Sequence, residues 1–143
     1  MLKRKRSFFP GVCLCILLII AFLQGPTPSF AFEISIQVSP ATLNIQSSGQ
    51  VVTVHTSIAY QDVVGGTVTL NDVPISWWKA DNQGNFVAKF VMSEVKALVD
   101  TGDLECPGEN ELRLTGETTE GTLFKGATKI TVIDVLPSGS GGK

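Results

Sequence analysis

The chain has 143 residues, 43% of them hydrophobic, with 11 Lys or Arg against 13 Asp or Glu. Four of the basic residues crowd into Lys3-Arg4-Lys5-Arg6, so the rest of the chain is acidic and its cations stand singly, as at Lys79, Lys89, Lys96, Arg113, Lys125 and Lys129. A phosphate-tracking surface needs clustered Lys and Arg, which argues against nucleic acid, and an acidic surface disfavours anionic lipid.

The basic cluster leads into the apolar run Val12 to Leu23 and then Ser29-Phe30-Ala31, the pattern of a secretory signal peptide. The charges hold the start of the chain on the cytoplasmic side while the apolar run partitions into the membrane. Spanning the hydrocarbon core takes about 20 apolar residues. This run supplies 12 before Gln24, Gly25 and Pro26 interrupt it, so the membrane is expected to be met only transiently, through the signal peptide. Pro26 and Pro28 keep the approach to the peptidase extended, Ser29 and Ala31 supply small residues, and cleavage is expected between Ala31 and Phe32. Cys13 and Cys15 leave with the apolar run, so the exported chain keeps Cys106 alone and forms no internal disulfide. The organisation expected is a signal peptide over 1–31, one folded domain over 32–135 and a flexible Gly/Ser tail over 136–143. A domain of that size buries about 60 to 70% of its unfolded surface, enough for a core without crosslinks.

From Phe32 onward the chain alternates. Ile34, Ile36 and Val38 share one face and Glu33, Ser35 and Gln37 the other, a half-buried strand that Pro40 ends. Leu43 and Ile45 make a short segment before the turn Ser47-Ser48-Gly49. Val52, Val54, Thr56 and Ile58 form the inward face of a longer strand, which sends His55 outward. Gly65-Gly66 breaks the chain before Val68 and Leu70, and Asn71-Asp72 is a tight connection into Val73, Ile75 and Trp77. Asp81-Asn82-Gln83-Gly84 turns into Phe86, Ala88 and Phe90. One helical segment follows, with Ser93 as cap, Glu94 in the first turn, and Val95, Leu98 and Val99 on one face. Asp100 to Glu109 reads as a loop, Leu112 and Leu114 resume the alternation, Glu120-Gly121 turns, Leu123-Phe124 returns, and Ile130 and Val132 complete the last strand. Seven to nine short strands with turns about ten residues apart, and one short helical turn, predict an all-β sandwich.

Val38-Ser39-Pro40-Ala41-Thr42-Leu43-Asn44-Ile45-Gln46-Ser47-Ser48-Gly49, followed by Val52-Thr53, resembles the opening of an immunoglobulin-like module of exported bacterial and archaeal proteins. Val68-Thr69-Leu70-Asn71, Ala88-Lys89-Phe90, Leu112-Arg113-Leu114-Thr115-Gly116, Glu120 to Gly126 and Ile130-Thr131-Val132 follow that module's order, so the resemblance covers nearly all of Ile34 to Val135. It implies an immunoglobulin-like β-sandwich in an exported setting and no assigned activity. Such modules often carry an Asp- and Gly-rich turn that binds calcium. The matching stretch here offers one carboxylate, Asp81, with amide oxygens from Asn82, Gln83 and Asn85, against the six to eight oxygens calcium takes. That implies weak calcium stabilisation, or a plain hairpin turn, and no other cofactor is expected.

Trp77 and Trp78 must face opposite ways on a strand. Parity with Val73 and Ile75 buries Trp77 and exposes Trp78, whose indole would either stack on a saccharide, hold a protein partner or cover a loop. No catalytic residue is assigned. His55 is the only histidine, no G-x-S-x-G is present, and thirteen scattered acids single out no glycosidase pair. The expectation is an exported, periplasmic or extracellular, non-catalytic binding or structural module whose partner is a protein or a saccharide.

Overall fold

The computed structural model describes residues 31–136. Residues 1–30, which hold all but the last residue of the expected signal peptide, and the expected tail from residue 137 lie outside the described residues. In chain order the strands are β1 (Phe32–Glu33), β2 (Ile36–Ser39), β3 (Thr42–Asn44), β4 (Val51–Ala59), β5 (Thr69–Leu70), β6 (Val73–Pro74), β7 (Trp77–Ala80), β8 (Asn85–Val91), β9 (Gly108–Glu117) and β10 (Leu123–Ile133). One α-helix, α1 (Met92–Asp100), joins β8 to β9. The mostly-β expectation holds, but the segments are drawn differently. The two short runs expected at Leu123-Phe124 and Ile130 to Val132 are one strand of 11 residues, and the run from Val73 to Trp77 is two strands.

The strands form two sheets. One runs β1-β10-β9-β5-β6, with β3 also paired to β10, and the other runs β2-β4-β8-β7. Alternation explains why they stack. Along β4, Val52, Val54, Thr56 and Ile58 are buried while Val51, His55 and Ser57 are exposed, so one face is apolar and must find a partner. Phe86, Ala88 and Phe90 of β8 join it from the same sheet, and Leu70, Leu112, Leu114, Phe124 and Val132 meet them from the other in a single core. The one hydroxyl forced inward on β4 is satisfied, Thr56 Oγ1 donating to the Phe86 carbonyl at 2.6 Å.

The first strand of the sequence reading is divided between the sheets. β1 pairs parallel with β10 at Phe124 and Lys125, β2 pairs antiparallel with β4, and β3 returns to pair parallel with β10 at Thr131 to Ile133. The switch is made within two residues: Ile34 N–H donates to Lys125 O at 2.8 Å, and the Ser35 carbonyl accepts from Ser57 N–H at 3.0 Å. The crossing presses on Gly126 of β10, where a Cβ would stand 2.6 Å from Ile36 Cγ2 and 2.9 Å from the Ile34 carbonyl oxygen. Only glycine fits that approach.

The turns follow their residues. Asn71 and Asp72 both have positive φ, 45° and 70°, the backbone of a two-residue type I′ hairpin. The helix α1 closes one end of the sandwich through buried Met92 and Val95, with Leu98 and Val99 against the core. It begins two residues earlier than expected: Val91 is the N-cap with no side-chain cap bond, so Ser93 lies inside the first turn. Lys96 Nζ instead ties the helix to the β3–β4 connection by donating to the Ser47 carbonyl at 2.6 Å. Cys106 is half-buried against the core. Among the described residues no helix is long and apolar enough to cross a membrane.

Candidate functional site

The expectation for the tryptophans holds in part: both indoles are exposed, but it is Trp77, and not Trp78, that stands on the outer face of its sheet. β6 belongs to the six-stranded sheet and β7 to the four-stranded one, and the chain changes sheet at Ile75 and Ser76, whose N–H groups donate to Val68 O at 3.2 Å and Lys89 O at 2.8 Å. Parity counted from Val73 therefore stops at the crossing. Trp77 lies opposite Lys89 and Trp78 opposite Ala88. Directly paired residues share a face, so Trp77 points outward with Lys89, and Trp78 points inward with the core residue Ala88. Trp77 is 46% exposed rather than buried, and Trp78 is 38% exposed. The Trp78 indole covers the 3-10 turn Gly65–Thr67: a Cβ on Gly65 would stand 2.1 Å from its Cε2. The signal missed in the sequence is Pro74, which cannot sit inside a continuous central strand and marks the end of β6.

The outward residues of the β2-β4-β8-β7 sheet follow from its register. Gln37, His55, Val87 and Lys79 form one row across the strands, and Ser39, Thr53, Lys89 and Trp77 form the next. Lys89 Nζ sits over the Trp77 ring at 4.7 Å from its centroid, a cation–π contact. Val87 is fully buried yet outside the core cluster, and stands between His55 and Lys79 in its row. Beside these rows Ser35, Gln37, His55, Ser57 and Asn85 border an open depression of 390 Å³.

Asp81 caps the turn from β7 into β8. Its Oδ1 accepts from Gln83 N–H at 2.8 Å and from Asn85 N–H at 2.9 Å, while its backbone N–H donates to Asn85 O at 2.9 Å. This is a self-satisfied Asx turn. One of the two oxygens that calcium would draw on is already engaged by the backbone. Asn82 and Gln83 are exposed beside it, and among the described residues no three His, Cys, Asp or Glu side chains converge on one point.

The other outer face is a field of solvated ion pairs. Arg113 and Glu111 meet at 2.8 Å, Lys129 and Glu109 at 3.7 Å, and Lys125 and Glu33 at 4.0 Å, all of them well exposed. Pairs of that kind contribute little to stability. The 440 Å³ cleft beside them is lined by Asn71, Asp72, Asp103, Glu111, Arg113 and Thr115; its only guanidinium is already held by Glu111. At the expected cleavage site Ala31 is half-exposed and Phe32 is exposed, its ring tilted against Phe124 with centroids 6.3 Å apart.

No family model matches the chain, and no curated protein matches it. Among solved structures the chain is similar to one described as giving insight into host cell surface retention of a 1.5-MDa bacterial ice-binding adhesin. The identity is 17%, the match covers 76% of this chain and 33% of that one, and the TM-score is 0.40. The chain thus spans about a third of that adhesin structure, and a likeness so distant transfers no function.

Proposed function

We propose that the chain is an exported, non-catalytic immunoglobulin-like module that serves as a binding or structural accessory domain. Strand order is the observation that supports it. Immunoglobulin sandwiches place strands A, B, E and D in one sheet and C, F and G in the other, with C′ beside C in the variable type. Lettered in chain order, with β2 as A, β4 as B, β5 as C, β6 as C′, β7 as D, β8 as E, β9 as F and β10 as G, the two sheets read A-B-E-D and G-F-C-C′. The parallel pairing of β1 and β3 with β10 places parts of the A strand beside G. A fold of this kind hosts many functions, so the accessory role rests on the residues: the single histidine, His55, stands exposed on the outer face. Fractionation of source cells carrying the intact chain, or one lacking 1–31, is the test. The intact chain is expected in the periplasmic or released fraction and the truncated one inside; an intact chain confined to the cytoplasm would overturn the reading.

A further inference from the structure

We propose that the outer face of the β2-β4-β8-β7 sheet binds an acidic polysaccharide, with Trp77 stacking on a sugar ring and the amines of Lys79 and Lys89 taking its carboxylates. The proposal rests on the reading of the chain as an exported binding module and gives that module a surface and a ligand class.

Charge segregation is the first support. All 13 acidic residues of the chain lie within the described region, against six Lys or Arg there. None of the 13 is among the outward residues of β2, β4, β7 and β8, where Lys79, Lys89 and His55 stand. The adjacent carboxylate, Asp81 in the hairpin turn, is turned back on the Gln83 and Asn85 amides. An acidic domain therefore keeps one face free of carboxylates, and that face is complementary to an anion.

The chemistry of the face selects the kind of anion. Protein interfaces concentrate aromatics in their cores and are depleted in Lys and Ser, whereas this face combines one indole and, at its end, the exposed Val51–Val91 pair with Lys79, Lys89 and a fringe of hydroxyl and amide groups. The depression bordered by Ser35, Gln37, His55, Ser57 and Asn85 spans β2, β4 and the start of β8, and β4 lies two strand spacings, about 10 Å, from β7. A chain of hydroxyl-bearing rings laid across the sheet reaches both. The contact between Lys89 Nζ and the Trp77 ring at 4.7 Å distinguishes acidic from neutral sugars. A neutral ring would have to displace the ammonium from the indole without replacing its electrostatic partner, while a uronate supplies a carboxylate to the amine as its C–H face meets the indole.

The test is calorimetric titration of the full-length chain with polygalacturonate, neutral dextran and polyglutamate, with melting curves taken on every variant. Polygalacturonate is expected to bind and the other two not. Trp77→Ala should weaken binding about tenfold, the scale of one lost stacking contact, Trp77→Phe should retain most of it, and Lys89→Gln should weaken it about threefold with a reduced response to salt. Polyglutamate binding as tightly as polygalacturonate, with Trp77→Ala without effect, would reduce the face to a charge patch and overturn the proposal. Equal binding of dextran, or no binding of polygalacturonate by a cooperatively melting wild-type chain, would also overturn it. A chain that fails here yet still appears in the exported fraction leaves the accessory-module reading standing.

Discussion

Gly65→Ala isolates the contact between Trp78 and the turn it covers. The new methyl would stand 2.1 Å from Trp78 Cε2 and 2.5 Å from Cδ2 and Nε1. The whole edge of a rigid bicycle must withdraw to reach ordinary contact at 3.4 Å or beyond. Gly65 is buried, so the indole cannot yield without uncovering the turn it shields. Overpacking of this kind costs about 1 to 3 kcal/mol, and for a domain of this size about 2 kcal/mol lowers the melting temperature by about 10 °C. The same substitution behaves differently once the indole is gone. The φ of Gly65 is not in the left-handed region, so alanine fits the backbone and stabilises by about 0.4 to 1 kcal/mol through the unfolded chain. A double-mutant cycle between Gly65→Ala and Trp78→Ala, measured by urea denaturation, should therefore give a coupling of about 2.5 to 3 kcal/mol, with the sign of the Gly65→Ala effect reversing. Additive losses, or an equal coupling of Gly65 with Trp77, would show that Trp78 does not lie over the turn.

Gly126→Ala should cost about 2 to 3 kcal/mol, at the upper end of overpacking because one of its collisions is with the backbone carbonyl of Ile34; faster hydrogen exchange at the Ile34 amide, which donates to Lys125 O, would locate the damage at the β1 crossing. Asp81→Ala removes the acceptor of two backbone amides and should cost about 1 to 2 kcal/mol with or without EDTA. A loss seen only in calcium-loaded protein would restore the turn as a calcium site. Mass spectrometry of exported material should find Phe32 at the N-terminus, and a retained apolar run would refute transient membrane contact.

What the sequence discloses about this fold depends on whether a strand stays in one sheet. β4 and β8 do, so the period of two read from Val52 to Ile58 and from Phe86 to Phe90 matches the buried set. Asn71-Asp72 is legible because few residues other than glycine accept the two positive φ angles of the type I′ turn. Where the chain crosses between sheets, parity restarts. The crossing at Ile75 and Ser76 turned Trp77 outward, and that at Ile34 and Ser35 divided the first strand in a way that alternation alone cannot show. Val87 is the converse case, an outward position that is nonetheless buried, which no periodicity encodes. The Lys89–Trp77 contact was out of reach for the same reason, since it requires the register between β7 and β8.

The divided first strand also fixes how the domain meets tension. β1 and β3 run parallel to β10 at its two ends, and Asn44 of β3 holds Val135 just beyond it, donating to its carbonyl at 2.7 Å and accepting from its amide at 3.1 Å. When two parallel strands are drawn apart by opposite ends, their rungs lie across the force. They are loaded together in shear instead of opening one at a time. A pull along the chain through Phe32 and Leu136 thus falls first on these two ladders, ahead of the β5–β6 hairpin and α1. Single-molecule stretching of Asn44→Ala should give a lower rupture force than wild type, and equal forces would place the resisting element elsewhere.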